Sequence, residues 1–191
     1  KWAAFCMLSH LKQCLLTADR MELGFGATGA WAADWFSEKK ALSILKTALD
    51  GGIRHFDTAS FYAGGKADER LARLLDKLEA EGAVYRQSIT LSTKIGKRID
   101  ESGRIVRDFS EAAIVDTVAR HIRLFGGQGP DIVYMHGPDK KERHQSLPVL
   151  QQLKADGALK AIGECHDYPH LETAADTDGI DVLMGRYHFL N

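Results

Sequence analysis

The sequence predicts an α/β protein built on parallel strands. Three observations lead there. Short apolar runs suited to strands alternate with amphipathic runs suited to helices. Glycines close nearly every helical run. Several strand-like runs end in a single polar or charged residue. Strictly alternating strand and helix implies crossover connections and therefore parallel pairing. Two architectures satisfy this pattern, an open doubly wound sheet and a closed (β/α) barrel.

The elements follow in order. The stretch around Gly24 and Gly26 reads as a first strand and loop. In "SEKKALSILKTALDGG", Ser37 is placed to cap a helix. Ala41, Ile44, Leu45, Ala48 and Leu49 form its apolar stripe, and Gly51 and Gly52 stop it. "IRHFD" is a short strand ending at Asp57. A second helix carries Leu71, Leu74, Leu75 and Leu78 and closes at Gly82. "SITLSTK" is a strand ending at Lys94. A third helix begins at Ser110, carries Ile114, Val118, Ile122 and Phe125, and stops at Gly126 and Gly127. "DIVYMH" is a strand ending at His136. A helix through Leu147, Leu150 and Leu153 stops at Gly157, and "LKAIGEC" and "IDVLMGRY" read as two more strands.

The chain has 191 residues, is 45% hydrophobic and 27% charged, and carries a formal net charge of −1. That is the composition of one globular domain over residues 1–191. A near-neutral chain without a basic block gives no electrostatic case for nucleic acid or an anionic membrane. Three cysteines, Cys6, Cys14 and Cys165, fit a reducing, cytoplasmic setting better than a disulfide framework. The apolar opening, residues 1–20, is interrupted by His10, Lys12 and Gln13, so it reads as an amphipathic packing helix or a lead-in and not a membrane span.

Asp57, Lys94 and His136 each close an apolar run on a different strand. In a parallel sheet those ends share one edge, where the side chains can converge; in a barrel that edge is the catalytic face. Taken singly, Asp57 could be a helix cap, Lys94 a loop residue and His136 a hydrogen-bonded edge residue. Tyr62 follows Asp57 by five residues. A free phenol, with a pKa of about 10, is a poor acid near neutrality. An adjacent Lys94 ammonium is expected to lower that value, with Asp57 holding Lys94 charged and His136 orienting a carbonyl oxygen.

The segments "LGFGATG", "GIRHFDTASFYAGGKADERL", "LSTKIGK", "DIVYMHGPD" and "LKADGALKAIGEC" resemble, in order and spacing, the successive motifs of the aldo-keto reductases. The resemblance runs from about Leu23 to Asn191. It implies a (β/α)8 barrel, with about the first six β/α units present in residues 21–191, and Asp57, Tyr62, Lys94 and His136 as a catalytic tetrad. It further implies an NADP(H) or NAD(H) cofactor contacting Gly26, Ala27, Thr28, Asp57, Cys165, His166, Met184 and Arg186, and a small-molecule carbonyl or sugar substrate. "MGRYHFLN" is similar to the aldose dehydrogenase branch. Two departures stand out: Cys165 and His166 occupy the place of a Ser-Asn pair that holds the cofactor's carboxamide, and Met184 the place of a glutamine. They keep a second reading open, a non-catalytic nucleotide-binding or regulatory relative.

An eight-stranded barrel of this class runs to about 250 residues. Six units leave the ring open, so further chain or another molecule, through self-association across the open side, is expected to cover it.

Gly24, Gly26 and Gly29 also spell a dinucleotide-binding fingerprint. That turn needs a buried strand before the first glycine and a helix at the third, whereas "TADRMEL" is a poor strand and the convincing helix start is Ser37. Cys165, His166 and His170 lack a fourth ligand at a recognised zinc spacing, so no metal site is expected. His55 and His121 sit in apolar runs as core histidines, and the charged run Asp139 to Arg143 reads as a solvated loop. "GGK" at Gly64 to Lys66 lacks the features of a phosphate loop.

Overall fold

The computed structural model describes residues 4–8, 22–167 and 170–186. Six strands pair in parallel and in chain order: β2 (Gly24–Gly26), β3 (His55–Asp57), β4 (Thr90–Ile99), β6 (Ile132–His136), β7 (Ala161–Cys165) and β8 (Val182–Arg186). A doubly wound sheet reverses its strand order at a switch point, and these strands never do. The sheet is therefore singly wound, the curved half of a (β/α) barrel. Helices α1 (Gly29–Ala32), α2 (Glu38–Asp50), α3 (Ala67–Ala80), α4 (Glu111–Leu124), α5 (Lys140–Ala155) and α6 (His170–Ala175) fill the connections.

Two strands were not expected. β1 (Ala4–Leu8) runs antiparallel along β8, pairing Ala4 with Arg186 and Leu8 with Val182. This corrects the helical reading of the opening segment over those residues. The rest of that segment, Cys14 included, and the terminal 187–191 lie outside the described residues. β5 (Ile105–Asp108) folds back on the outer half of β4, which continues past Lys94 to Ile99 as a hairpin arm.

Strand alternation divides the core in two. Phe56 on β3 and Leu91 on β4 point outward against Leu45, Leu71 and Leu75 of the helices. Ile95, Val133, Met135 and Ile162 point outward against Ile114, Val118 and Leu150. The inward residues form a smaller apolar cluster of Tyr134, Val182 and Met184. Gly163 lets the Tyr134 ring lie across β7: a Cβ there would stand 2.3 Å from Tyr134 Cδ1.

Local chemistry sets the helix boundaries. Ser37 and Ser110 cap α2 and α4 by accepting from Lys40 N and Ala113 N. Asp139 opens α5 with a reciprocal capping box to Glu142, each bond 2.8 Å. The charged run from Asp139 is thus a helix start and not a loop. Its Arg143 is buried in a two-pronged pair with Glu164 of β7, at 2.7 and 2.6 Å, which fixes α5 to the sheet. On α2 the stripe buries Ala41, Leu45 and Leu49 but leaves Ile44 at 42% exposure. No helix among the described residues is long and apolar enough to cross a membrane.

Candidate active site

The inner face of the strands places the polar residues at the barrel mouth. Asp57 ends β3, Lys94 lies on β4, and His136 ends β6 beside Cys165 at the end of β7. The Lys94 side chain is 2% exposed and forms an ion pair with Asp57 Oδ2. It also donates to the Thr58 carbonyl at 3.0 Å. An ammonium has three protons, so one remains for the mouth. Burial pulls the Lys94 pKa down, but Asp57 and the Tyr62 phenol outweigh it and raise the pKa.

Tyr62 opens a short 3-10 turn, Tyr62–Gly65, anchored by Tyr62 N on the Ala59 carbonyl at 3.1 Å. Ala63, at φ 51°, is left-handed there. The Tyr62 ring centroid lies 5.0 Å from Lys94 Nζ. Burial raises the Tyr62 pKa; Lys94 pulls it down but does not prevail. This corrects the expectation of a lowered phenol pKa: desolvation of the phenolate exceeds the attraction of a cation already paired with Asp57.

Among the described residues no hydrogen bond or ring pairing joins His136 to Tyr62. Phe61 stands against both rings, its centroid 4.9 Å from that of Tyr62 and 5.4 Å from that of His136. Burial, with Lys97, Lys94 and Arg107 nearby, pushes the His136 pKa down to about 3, so the ring is neutral. Its Nδ1 is buried without a hydrogen-bond partner among the described residues. An orphaned N–H is rarer than an orphaned lone pair, which puts the single ring proton on Nε2, free to donate.

The residues expected around a cofactor are placed unevenly. Gly26 and Thr28 are exposed at the mouth, whereas Ala27 is fully buried among the helix-side residues and its N–H donates to the Asp57 carbonyl at 2.8 Å. His166 uses both ring nitrogens, Nε2 toward the Pro138 carbonyl at 3.3 Å and Nδ1 accepting from Asp167 N at 3.1 Å. Met184 is buried against Tyr134 and Val182 and has no donor. Arg186 is held by both oxygens of Asp167. Asp57, Tyr62, Lys94 and His136 thus fit nicotinamide-dependent carbonyl chemistry, whereas His166 and Met184 offer no free group for a carboxamide. The His170 ring lies tilted beside that of His166, at 4.5 Å between centroids, and among the described residues no three metal-ligating side chains gather.

The comparisons agree with this geometry. The aldo/keto reductase family model matches residues 22–191. The chain belongs to the aldo/keto reductase family. Among curated relatives, D-threo-aldose 1-dehydrogenase of a Pseudomonas species is 28% identical over 197 residues, 88% of this chain and 57% of the relative. Pyridoxine 4-dehydrogenase of Escherichia coli is 28% identical over 74% of this chain and 51% of its own. Among solved structures, an aldo-keto reductase of Bacillus halodurans in its holo form superposes with a TM-score of 0.66 at 27% identity, covering 80% of this chain and 48% of that one. The chain spans about half the length of the curated relatives it matches.

In this aldo/keto reductase chain, the place of Ser92 and His55 beside Asp57 escaped the sequence reading. Ser92 donates to Asp57 Oδ1 at 2.8 Å, and His55 Nε2 lies 2.9 Å from Ser92 Oγ. The signal was there: His55 precedes Asp57, and Ser92 precedes Lys94, by two, the interval that returns a strand to the same face. Half-buried on the inward face of β3 and outside the core, His55 is nonetheless hydrogen-bonded, as expected. His121 is not: neither ring nitrogen has a hydrogen-bond partner among the described residues.

Proposed function

We propose that this chain carries the acid–base half of an NAD(P)-dependent oxidoreductase acting on a carbonyl or alcohol. The observation that carries it is the buried Lys94, paired with Asp57 and facing the Tyr62 ring at 5.0 Å. A bound nicotinamide supplies or takes the hydride at the substrate carbon. The chain's own residues manage the proton. In reduction, His136 Nε2–H orients the carbonyl oxygen, and the Tyr62 hydroxyl transfers its proton there as negative charge develops. The Lys94 ammonium meets the resulting phenolate, and Asp57 keeps that ammonium charged. Oxidation runs the same transfers backwards.

The relative named D-threo-aldose 1-dehydrogenase supports an aldose as substrate, with other aldehydes and ketones in the same chemical class. The free thiol of Cys165 suits a cytoplasmic setting. A second reading, a nucleotide-binding regulatory relative, draws on the committed His166 and the buried Met184. It draws also on a 29% identity to a probable voltage-gated potassium channel subunit beta of Arabidopsis thaliana over 66% of this chain.

Fluorescence titration with NADPH and NADH, followed by nicotinamide absorbance with small aldehydes and aldoses, separates the two. The Tyr62→Phe variant is expected to bind cofactor normally and lose about 100- to 10,000-fold in turnover. Turnover by Tyr62→Phe at the parent rate overturns the assignment, and cofactor binding without any turnover by the parent favours the regulatory reading.

A further inference from the structure

Behind the Asp57–Lys94 pair lies a second tier of polar groups. Asp57 and Ser92 are register partners on β3 and β4, and Ser92 Oγ donates to Asp57 Oδ1 at 2.8 Å. Two residues earlier on β3, His55 places Nε2 at 2.9 Å from the same hydroxyl. A hydroxyl has one proton, and an ionised carboxylate has none to give. Ser92 therefore spends its proton on Asp57, and its lone pair must be met by a His55 N–H. The line has a single direction: His55 Nε2–H to Ser92 Oγ, Ser92 O–H to Asp57 Oδ1, with Lys94 on Asp57 Oδ2.

We infer that His55 and Ser92 are positioning residues that hold the Asp57 carboxylate turned toward Lys94, and through Lys94 set the proton affinity of Tyr62. The inference rests on the acid–base role proposed above for Tyr62.

Two physical arguments support it. A carboxylate that accepts from a hydroxyl on one oxygen and an ammonium on the other is fixed in rotation, whereas loss of the hydroxyl frees Oδ1 and unbalances the pair. The support also has to be neutral, because a second cation would compete with Lys94 for Asp57. His55 meets that need. Burial lowers its pKa, and the charged groups facing it, Asp57 on β3, Lys94 on β4, Asp131 ahead of β6 and Glu22 ahead of β2, do not reverse the shift. Tyr62 in turn faces Lys94, Asp57 and Cys165. Removing the Ser92 hydroxyl dipole leaves more negative potential at the phenol, which disfavours phenolate.

The test needs neither cofactor nor turnover, so it stands or falls apart from the oxidoreductase reading. Long-range proton–nitrogen spectra of the parent chain, assigned with a His55→Gln variant, report the imidazole tautomer. His55 is expected as the neutral Nε2–H form, and loss of that preference is expected in Ser92→Ala. Ultraviolet phenolate titration, differenced against Tyr62→Phe, then gives the Tyr62 midpoint. Ser92→Ala is expected to move it up by about half a pH unit or more, and Ser92→Thr, which keeps the hydroxyl, to restore it. A parent His55 in the Nδ1–H form overturns the inference, and so does a Ser92→Ala midpoint equal to the parent's. Should Ser92→Ala fail to fold, the parent spectrum still decides.

Discussion

Lys94 Nζ stands 5.0 Å from the centre of the Tyr62 ring, yet the phenol keeps a raised pKa because its burial outweighs the attraction of the ammonium. Tyr62 therefore carries its proton throughout the neutral range. An acid must be protonated to act, so carbonyl reduction is expected to be level through neutrality and to fall as alkaline pH ionises the phenol. Alcohol oxidation, which needs the base form, should rise over the same alkaline range. Profiles of kcat/KM against pH in both directions check this; a reductive rate that climbs with alkaline pH contradicts it.

Lys94→Met leaves Asp57 with its Ser92 bond but no cation, at a position where the carboxylate is 16% exposed. Breaking a buried pair on one side costs about 3–5 kcal/mol. Thermal or urea unfolding should show a loss of that order near neutral pH. The double variant with Asp57→Asn should recover part of it, because no buried charge is then left uncompensated. A Lys94→Met chain as stable as the parent would mean the pair is solvated.

His121 of α4 is 2% exposed and stacks on Phe125 at 4.2 Å between centroids. Burial, with Arg120 and Arg86 beside it, pushes its pKa down from 6.5 to about 3. The unfolded chain therefore binds a proton that the folded chain refuses within that window. Stability from this group is fully present above about 6.5 and is lost as pH falls toward about 3. The loss is on the order of a few kcal/mol. His136 shifts in the same direction, so the measurement is a difference. Urea titrations of His121→Leu against the parent should diverge as acid is added, with the variant losing less. Parallel curves refute it.

Gly163→Ala places a methyl 2.3 Å from the Tyr134 ring in the barrel interior. The Tyr134 ring is fully buried, so overpacking should cost about 1–3 kcal/mol. A lowered Tm with an unchanged helix signal is expected, and pairing the change with Tyr134→Leu should restore most of the loss.

The sheet and the polar strand ends Asp57 and His136 were legible in the sequence because alternation and glycine punctuation are local signals; Lys94 was legible as a polar residue after an apolar run, but its strand runs on to Ile99. Asp57, Lys94 and His136 announce themselves as the polar residue closing an apolar run. The hairpin arm was not legible. Past Gly96, which turns to φ +96°, continuous burial gives way to exposure, and the arm is held by cross-strand pairs such as Arg98 with Asp108, ten residues on. The state of Tyr62 was misjudged for another reason: proximity to Lys94 can be guessed from spacing, but desolvation depends on Phe61 and the turn at Ala63, which only the folded chain brings together. His121 escaped likewise, because the sequence shows an apolar neighbourhood but not the want of an acceptor.

Along β3 and β4 the residues that touch helices and those that face the mouth take turns, Phe56 between His55 and Asp57, and Thr93 between Ser92 and Lys94. Deleting or inserting one residue in either strand would exchange the two sets, carrying a carboxylate or an ammonium into the oily layer and a phenyl ring into the reaction chamber. New chemistry in this half-barrel must therefore arise by replacement in place, with changes of length confined to the connecting loops.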